Sequence, residues 1–299
     1  MKNILVTGAG GMLGEKIVDF FSKSIEYNIF ASYRTNKPLN EFGATWLMVD
    51  LKNKTDFKDL LLVSRPDIII HCAAFVNLDQ CEIDDSESKY LHYQLVKEFA
   101  NVCPNAYFIY ISTDSVFDGE TGNYSEYDIA NPLNKYALTK CAGEKEVVNQ
   151  FKQHLVIRTN IYGFHSNNGY SSLAEWAITK LSNNEVIGGF DDVIFNPVYT
   201  LQLAYVIDEL VKLNYIGIVN VGCDEVISKF NFLKLLAKQF SFSEKLVLKT
   251  NSLNQKFTAN RPLNTSLNTT LLKNKVNINL NLKHGVTMLF NDMTKHKKI

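Results

Sequence analysis

The sequence carries no net charge, because 31 lysine and arginine residues balance 31 aspartate and glutamate residues. This balance argues against a broad basic surface for nucleic acid and against an acidic tail, although it allows a local charged patch. The sequence also lacks any run of about 18 or more apolar residues, so we expect no membrane span. The first apolar stretch ends at Gly8, which is too early to predict a signal peptide.

Cysteine is sparse, and a secreted disulfide framework or a zinc site would need a denser or closer pattern. The five cysteines are scattered, without a Cys-x-x-Cys pair, at Cys72, Cys81, Cys103, Cys141 and Cys223. They predict reduced thiols in a cytoplasmic protein. No cluster of acidic residues in the sequence indicates a tightly held metal.

The length of 299 residues, with 46% hydrophobic and 21% charged residues, predicts a globular chain of roughly two domains. In the first half, apolar strand patterns alternate with helical ones. The strands are predicted at 4–7, 29–33, 46–49, 67–71, 107–111 and 155–157, and the helices at 12–21, 58–64 and 88–102. Such alternation predicts a Rossmann-type α/β fold, a doubly wound parallel sheet covered by helices on both faces.

After Tyr162 the alternation fades. A polar loop is predicted at 163–169, a turn at Gly188-Gly189, helices at 173–181, 201–213 and 230–240, and a further strand at 217–221. We therefore predict an NAD(P)-binding domain over residues 1–162, to which the strand at 217–221 returns. Residues 163–299 are predicted to form a smaller, mainly helical substrate lobe interleaved with that domain.

The glycine cluster after the first strand is typical of a dinucleotide phosphate loop. Gly8 suits the tight turn, Gly11 allows a pyrophosphate to approach the backbone, and Gly14 lets the next helix pack on the strand. The helix N-terminus offers free N–H groups to the phosphates. The predicted cofactor contacts in this loop are Gly8, Gly10, Gly11, Met12, Leu13 and Gly14.

The end of the second strand bears on the choice of cofactor. An NAD-selective site usually has Asp or Glu there, but this chain has Arg34, with Lys37 nearby. Arg34 suits the 2′-phosphate of NADP, so we expect NADPH, with NADH as the alternative. The competing interpretation is a solvated loop arginine.

Two further strand ends are predicted to line the cofactor crevice. Asp50, followed by Leu51, either accepts from the adenine amino group or starts a turn. Cys72-Ala73-Ala74 offers small residues over which a dinucleotide can lie. His71 is interpreted as a packed strand-end residue rather than a catalyst.

Tyr136 and Lys140 are four residues apart, so on a helix they share one face. We expect the lysine and a cationic nicotinamide to lower the tyrosine pKa from about 10, which suits acid–base catalysis. Thr113, at the carboxyl end of the fifth strand, could polarise a substrate carbonyl, and Ser112 is the competing candidate.

Together these motifs resemble the extended short-chain dehydrogenase/reductase superfamily and, within it, the dTDP-4-dehydrorhamnose reductase family. The resemblance runs from about Lys2 to about Leu272. Its motifs are Thr7-Gly-x-x-Gly-x-x-Gly14, Ser112-Thr113-Asp114, Val116-Phe117-Asp118-Gly119, Tyr136-x-x-x-Lys140, Ala142-Gly143-Glu144, Arg158-Thr159-Asn160, Asn196-Pro197-Val198-Tyr199 and Arg261-Pro262-Leu263-Asn264-Thr265-Ser266-Leu267.

The resemblance implies NAD(P)H-dependent reduction of the 4-keto group of a nucleotide-linked 6-deoxyhexose, as in dTDP-L-rhamnose synthesis. Thr113 would hydrogen-bond the substrate, Tyr136 would donate the proton, and Lys140 would assist it and hold the cofactor ribose. The implied substrate contacts are Val76, Thr113, Asp114, Asn160, Tyr162 and Arg261. Some members of the family form dimers with magnesium. A homodimer is a further expectation, whereas the sequence itself does not indicate Mg²⁺.

Two departures from the family pattern concern the sugar. Ser115 stands where the family usually has tyrosine, and Ile161 stands where it often has a tryptophan near the sugar, with Tyr162 as a substitute contact. Two alternatives remain open at this point. One is an epimerase or dehydratase that regenerates its cofactor. The other is a non-catalytic NADP-binding subunit, like the regulatory subunit of methionine adenosyltransferase.

Overall fold

The protein is described by a computed structural model that covers residues 1–35, 37–38, 40–166, 172–296 and 298. Its strands are β1 (Lys2–Thr7), β2 (Tyr27–Tyr33), β3 (Thr45–Met48), β4 (Ile68–His71), β5 (Tyr107–Ile111), β6 (His154–Thr159), β7 (Ile161–Tyr162), β8 (Ile187–Phe190), β9 (Ile194–Phe195), β10 (Val198–Tyr199), β11 (Gly217–Val221), β12 (Ile227–Ser228) and β13 (Val247–Thr250).

Its helices are α1 (Met12–Phe21), α2 (Lys54–Ser64), α3 (Leu78–Ile83), α4 (Ser86–Lys89), α5 (Leu95–Val102), α6 (Lys135–Gln150), α7 (Leu173–Ser182), α8 (Thr200–Lys212), α9 (Lys229–Gln239), α10 (Thr270–Lys275) and α11 (Leu282–Lys295). Short 3₁₀ turns cover Asp114–Val116, Glu244–Leu246 and Ser252–Asn254. Of the predicted loop at 163–169, positions 167–169 lie outside the described residues.

Seven parallel strands form one sheet in the order β11-β6-β5-β4-β1-β2-β3. The Rossmann-type prediction is confirmed, and the returning strand at 217–221 is β11, paired with β6. The chain order reverses between β1 and β4, whose last residues, Thr7 and His71, are register partners. In sheets of this kind ligands bind at the carboxyl ends of the strands beside this reversal.

The central strands are buried on both faces, as continuous β-branched runs predict. Ile68, Ile69 and Ile70 are all buried. His71 ends the same strand inside the protein, with Nδ1 2.8 Å from the Thr7 hydroxyl and Nε2 2.9 Å from the Leu91 carbonyl. Burial lowers its pKa to about 4, so His71 is the packed residue that the sequence predicted.

The helix predicted at 88–102 is interrupted. It begins at Ser86 and contains a π-helical turn over Tyr90–Gln94 between α4 and α5. Such turns are often found at functional sites. Here the turn brings His92 against α6, where its Nδ1 lies 2.8 Å from the Thr139 hydroxyl.

The turn predicted at Gly188-Gly189 is wrong. Both glycines lie inside β8, which pairs in parallel with β13. A Cβ at Gly189 would lie 2.7 Å from Phe230 Cα, so this glycine allows a helix to approach the strand closely. A strand can use glycine for close backbone approach as readily as a turn can.

The largest hydrophobic cluster joins the two halves of the chain, since it contains residues of β1 and α1 together with residues of α8, α9 and α11. Lys16 on α1 forms an ion pair of 2.9 Å with Asp292 on α11. The division at residue 162 stays a prediction. Within the described ranges, every helix is too short or too polar to cross a lipid bilayer.

Candidate active site

The glycine loop between β1 and α1 has the shape of a phosphate cradle. Gly8 has a φ of +66°, and a Cβ there would lie 2.7 Å from Ala73 Cα. A Cβ at Gly14 would lie 2.4 Å from the Gly8 carbonyl oxygen, so helix and strand touch at that point. These two close approaches explain why the sequence needs glycine at both positions.

Gly11 leaves the start of α1 open. It caps the helix without a side-chain hydrogen bond from any described residue, and a Cβ there would meet only the Gly8 carbonyl oxygen at 3.3 Å. The first N–H groups of the helix, from Met12 and Leu13, therefore remain available to an anion. The loop fits the pyrophosphate of a dinucleotide.

Arg34 lies at the end of β2, as the cofactor prediction requires. Its Nη1 forms an ion pair of 2.5 Å with Glu87 Oε1, and the same carboxylate oxygen lies 4.0 Å from Lys52 Nζ. A cavity of about 640 Å³ beside them is lined by Lys52, Glu87 and Tyr90, among others. The arginine is thus held by a carboxylate rather than only solvated.

At the end of β3, the turn interpretation of Asp50 agrees with the geometry. Its Oδ1 accepts a hydrogen bond of 3.0 Å from Lys52 N–H. Leu51 is buried, and its carbonyl oxygen accepts from the Tyr90 hydroxyl at 3.0 Å. The adenine contact proposed for Asp50 remains a prediction.

At the end of β4, Ala73 N–H donates to the Thr7 hydroxyl at 3.3 Å, which closes this segment onto the glycine loop. Burial raises the pKa of the neighbouring Cys72 thiol to about 12. Ala74 and Val76 continue into the loop before α3, and Val76 is 64% exposed. The predicted small residues therefore line the edge of the glycine cradle.

Helix α6 presents the tyrosine and the lysine on one face. Asn134 caps it by accepting from Ala137 N–H at 2.9 Å. Lys140 is buried, and its Nζ donates to the Ile111 carbonyl oxygen at 2.7 Å. The ammonium also lies 4.7 Å from the centre of the Tyr110 ring. Burial lowers the Lys140 pKa to about 8.

The described residues raise the Tyr136 pKa instead of lowering it, and the lowering by a bound cationic nicotinamide stays a prediction. Burial and the charge of Asp114 raise the Tyr136 pKa above its usual value, and the Thr113 hydroxyl only partly offsets them. Desolvation disfavours the phenolate, and a neighbouring carboxylate disfavours it further. Tyr136 therefore keeps its proton, which suits a proton donor.

The structure separates the two hydroxyl candidates at the end of β5. Ser112 Oγ donates to Glu144 Oε1 at 2.5 Å, and Arg158 binds the same carboxylate through Nε and Nη2 at 2.8–3.1 Å. This buried network occupies Ser112. The Thr113 side chain instead lies beside Tyr136, where it affects the phenol pKa.

Asp114 lies under Thr113 and joins distant parts of the chain. Its Oδ2 accepts from Thr265 Oγ1 at 2.5 Å and from Asn160 Nδ2 at 2.9 Å, and its Oδ1 accepts from the Thr113 hydroxyl at 3.1 Å. Burial raises the pKa of this carboxyl above its ordinary value. Asp114 and Asn160 thus lie in the cluster around Thr113 that the sequence predicted.

Arg261 lies beside the start of α6, because the carbonyl oxygen of the preceding Asn260 accepts from Asn134 Nδ2 at 2.8 Å. Its Nη2 forms an ion pair of 3.0 Å with Asp79 Oδ2, and its guanidinium lies 4.1 Å from the centre of the Phe257 ring. Asp79 also accepts from the N–H groups of Thr258 and Ala259. This pairing holds the segment before Arg261 against α3.

Tyr162 does not join the site. The structure places its ring in the hydrophobic core, 5.0 Å from Phe232 and 5.7 Å from Tyr199 between centroids. The side chain is 3% exposed, so the proposed sugar contact in place of the family tryptophan is wrong. Strand β7 contains only two residues, so the sequence showed no alternating pattern from which the burial of Tyr162 could have been predicted.

Three residues of the site were missed by the sequence analysis. His92 contacts Tyr136 edge-on, with ring centroids 5.5 Å apart, Asp79 holds Arg261, and Thr265 donates to Asp114. Thr265 lies inside the quoted Arg-Pro-x-Asn-Thr segment, so a signal existed for it. Among the described residues, no group of His, Cys, Asp and Glu side chains could hold a metal ion.

Comparison with known proteins places this geometry in context. Residues 1–295 match the family described as the RmlD substrate binding domain, so the family resemblance indicated by the motifs is confirmed. The chain is 27% identical to dTDP-4-dehydrorhamnose reductase of Aggregatibacter actinomycetemcomitans over 221 residues, which cover 73% of this chain and 70% of that protein.

A second relative is named as a subunit of another enzyme and not as a reductase. The chain is 32% identical over 200 residues to methionine adenosyltransferase 2 subunit beta of Mus musculus, covering 65% of this chain but only 54% of that subunit.

Among solved structures, dTDP-4-dehydrorhamnose reductase from Bacillus anthracis in complex with NADP superimposes with a TM-score of 0.83. The identity is 24%, with 98% of this chain and 100% of that chain covered, so this likeness concerns the fold.

Proposed function

Since the chain belongs to the dTDP-4-dehydrorhamnose reductase (RmlD) family of NADP-dependent oxidoreductases, we propose that it uses NADPH to reduce the 4-keto group of a nucleotide-linked 6-deoxyhexose. The observation that carries the proposal is the convergence of Thr113, Tyr136 and Lys140 beside the glycine cradle. Here dTDP is the nucleotide carrier that the family favours.

The chain's own residues fit the cofactor. The open N-terminus of α1 at Gly11 suits the pyrophosphate, Arg34 suits the 2′-phosphate, and Lys140 suits the nicotinamide ribose. Bound NADPH would supply the hydride for the carbonyl carbon. The relative from Bacillus anthracis, whose structure contains NADP, supports this choice of cofactor.

The reduction needs a proton for the sugar oxygen, and Tyr136 is the group placed to deliver it. Its raised pKa keeps the phenol protonated before the reaction. When substrate binds, the single hydroxyl proton of Thr113 would turn from Asp114 Oδ1 to the same carbonyl oxygen and so polarise it. As negative charge develops on that oxygen, the phenol proton moves to it, and Lys140, four residues along the same helix, would stabilise the tyrosinate that remains.

An alternative is a non-catalytic nucleotide-binding subunit, which the likeness to methionine adenosyltransferase 2 subunit beta favours. Such a protein would have no need of a protonated phenol beside a hydroxyl and a buried lysine. An epimerase or dehydratase is a second alternative, although Thr113-Asp114-Ser115 offers one carboxylate where a dehydratase usually has an acidic pair. The homodimer and the cytoplasmic location stay predictions.

The test is a panel of dTDP- and UDP-linked 4-keto-6-deoxyhexoses with NADPH and NADH, followed by absorbance of the reduced nicotinamide. Tyr136→Phe should bind NADPH normally and lose turnover about 10²-fold or more. Tyr205→Phe is the matched control, because that tyrosine packs on Phe20 of α1, away from the site.

Near-normal turnover by Tyr136→Phe would contradict the proton-donor role. Tightly bound oxidised cofactor with no net NADPH consumption would favour an epimerase. A co-purifying partner enzyme without turnover of any keto sugar would favour the subunit alternative.

A further inference from the structure

A further cavity lies at the opposite end of the sheet from the candidate active site. Its volume is about 770 Å³, which is within the range of small-molecule sites. Ile68 and Tyr107, register partners at the amino ends of β4 and β5, line it, whereas the glycine cradle and Thr113 lie at carboxyl ends. A ligand in this rear cavity would therefore contact neither the cofactor nor the keto sugar.

The lining of the rear cavity is largely apolar. Leu61 on α2, Ile68 on β4 and Val211 on α8 are buried and form its floor. Two further apolar side chains that line it reach solvent, since Leu62 is 68% exposed and Val102 is 56% exposed. The fold leaves both uncovered, and exposed apolar side chains that share one surface are typical of a binding site.

Three cations surround the same cavity, namely Lys2, Lys58 and Arg65. Within the described ranges, none of the three forms an ion pair with a carboxylate. One carboxylate, that of Asp67, also lines the cavity, and its Oδ2 accepts from Asn3 N–H at 2.8 Å. Three positive charges against one negative charge favour an anionic ligand.

Arg65 is held at this cavity in a conformation that is unusual for its residue type. It caps the C-terminus of α2 with a φ of +38°, where glycine is the usual residue. Its N–H donates to the Leu61 carbonyl oxygen at 3.0 Å, and its carbonyl oxygen accepts from Asn3 Nδ2 at 3.2 Å. Since no described residue bonds Nη1 or Nη2, this edge of the guanidinium is available to a carboxylate or a phosphate.

We propose that the rear cavity binds an amphipathic organic anion. The apolar body of the ligand lies on the floor and against Leu62 and Val102, and its carboxylate or phosphate group contacts Lys58 and Arg65. Guanidinium and ammonium groups bind both kinds of oxygen. The proposal does not depend on the proposed function, because the cavity and the reacting groups lie at opposite ends of the same strands.

The test compares four probes that share one alkyl chain and differ in the head group. Octanoate, octyl phosphate, 1-octanol and octylamine are titrated into the full chain, and binding is followed by ligand-observed NMR. Wild type should bind at least one of the two anions about fivefold or more tightly than 1-octanol and octylamine. The anion that binds more tightly identifies the head group.

Two variants locate the binding. Lys58→Gln combined with Arg65→Gln should weaken binding of the anion about fivefold and leave 1-octanol unchanged. Lys54→Gln is the matched control, because it removes the same charge from the same helix outside the cavity. Leu62→Gln should weaken binding of the anion and of 1-octanol alike, with Leu248→Gln, which is 53% exposed, as its control.

Thermal denaturation reports whether each variant is folded. If the double variant does not fold, Lys58→Gln alone should weaken binding of the anion about twofold. Equal affinity of wild type for the anions and 1-octanol would overturn the proposal, as would failure to bind either anion or equal binding by wild type and the charge variant. Light scattering tests a second copy of the chain as the occupant, since a dimer that Leu62→Gln converts to a monomer would also overturn it.

Discussion

His92 Nδ1 lies 2.8 Å from the Thr139 hydroxyl oxygen and joins the π-helical turn to the helix that carries Tyr136. Because Nε2 of this imidazole accepts from Phe75 N–H, Nδ1 carries the hydrogen and donates it to Thr139. The Thr139 hydroxyl in turn donates to the Tyr136 carbonyl oxygen at 2.8 Å. One imidazole thus positions both the backbone and, through its edge-on contact, the ring of the tyrosine.

Thr139→Val should disturb this arrangement without touching any ligand. The buried His92 N–H would lose its partner, so we expect the free energy of unfolding to fall by about 1–3 kcal/mol. We also expect kcat to fall about tenfold with an unchanged KM for NADPH, because the tyrosine ring is less well positioned. Urea denaturation and steady-state kinetics measure the two effects. Thr139→Ser keeps the hydroxyl and is the control, and equal losses in both variants would contradict the role of this hydrogen bond.

Arg34→Ala should weaken NADPH binding about tenfold and leave NADH binding nearly unchanged, because only NADPH carries a 2′-phosphate for the guanidinium to hold. Glu87→Gln is the complementary variant. The Glu87 carboxylate of wild type lies 2.5 Å from Arg34 and would repel the 2′-phosphate. Replacing this carboxylate by an amide should therefore tighten NADPH binding severalfold. Titrations followed by nicotinamide fluorescence measure the dissociation constants of NADPH and NADH for each variant. Equal effects on the two cofactors would argue against a 2′-phosphate site at Arg34.

Lys140 should make stability depend on pH in the alkaline range. Burial lowers its pKa from 10.5 to about 8, so between these values the unfolded chain binds more protons than the folded one. Stability contributed by this group therefore rises with pH across that window. The free energy of unfolding of wild type minus that of Lys140→Met should increase by about 3 kcal/mol between about pH 7.5 and 10.5. Urea denaturation of both proteins checks this, and a pH-independent difference would rule out the lowered pKa.

Ser112 and Thr113 should respond oppositely to loss of the hydroxyl. Ser112→Ala removes a buried hydrogen bond to Glu144, so we expect a loss of stability of about 1 kcal/mol or more with turnover retained within about threefold. Thr113→Val keeps the shape of the side chain and should lower kcat about 10²-fold. Thermal denaturation and kinetics of the two variants give the comparison. A larger kinetic loss for Ser112→Ala would reverse the assignment.

Local patterns accounted for the parts of the site that lie close together in the chain. The glycine loop, the buried strand that ends at His71 and the Tyr136–Lys140 spacing each occupy a few consecutive residues or one helix face, so their structure follows from neighbouring positions. The returning strand at 217–221 was likewise visible as an apolar, β-branched run.

Long-range pairings could not be predicted in the same way. Arg261 meets Asp79 across 182 positions, and Thr265 meets Asp114 across 151 positions. Gly189 was predicted to lie in a turn, but the position requires glycine because the backbone of Phe230 packs against it. The sequence analysis predicted a sugar contact for Tyr162, but the tertiary fold buries this side chain in the hydrophobic core. In each case the deciding neighbour lies far away in the sequence.

The hydrogen bond from Thr265 to Asp114 has a consequence for synthesis of the protein. It connects positions 151 residues apart, so the carboxylate beneath Thr113 lacks this donor until translation has passed Thr265. The glycine loop and the first five strands are translated long before that. The cluster around Thr113 is therefore complete only after the segment that contains Thr265 has been translated.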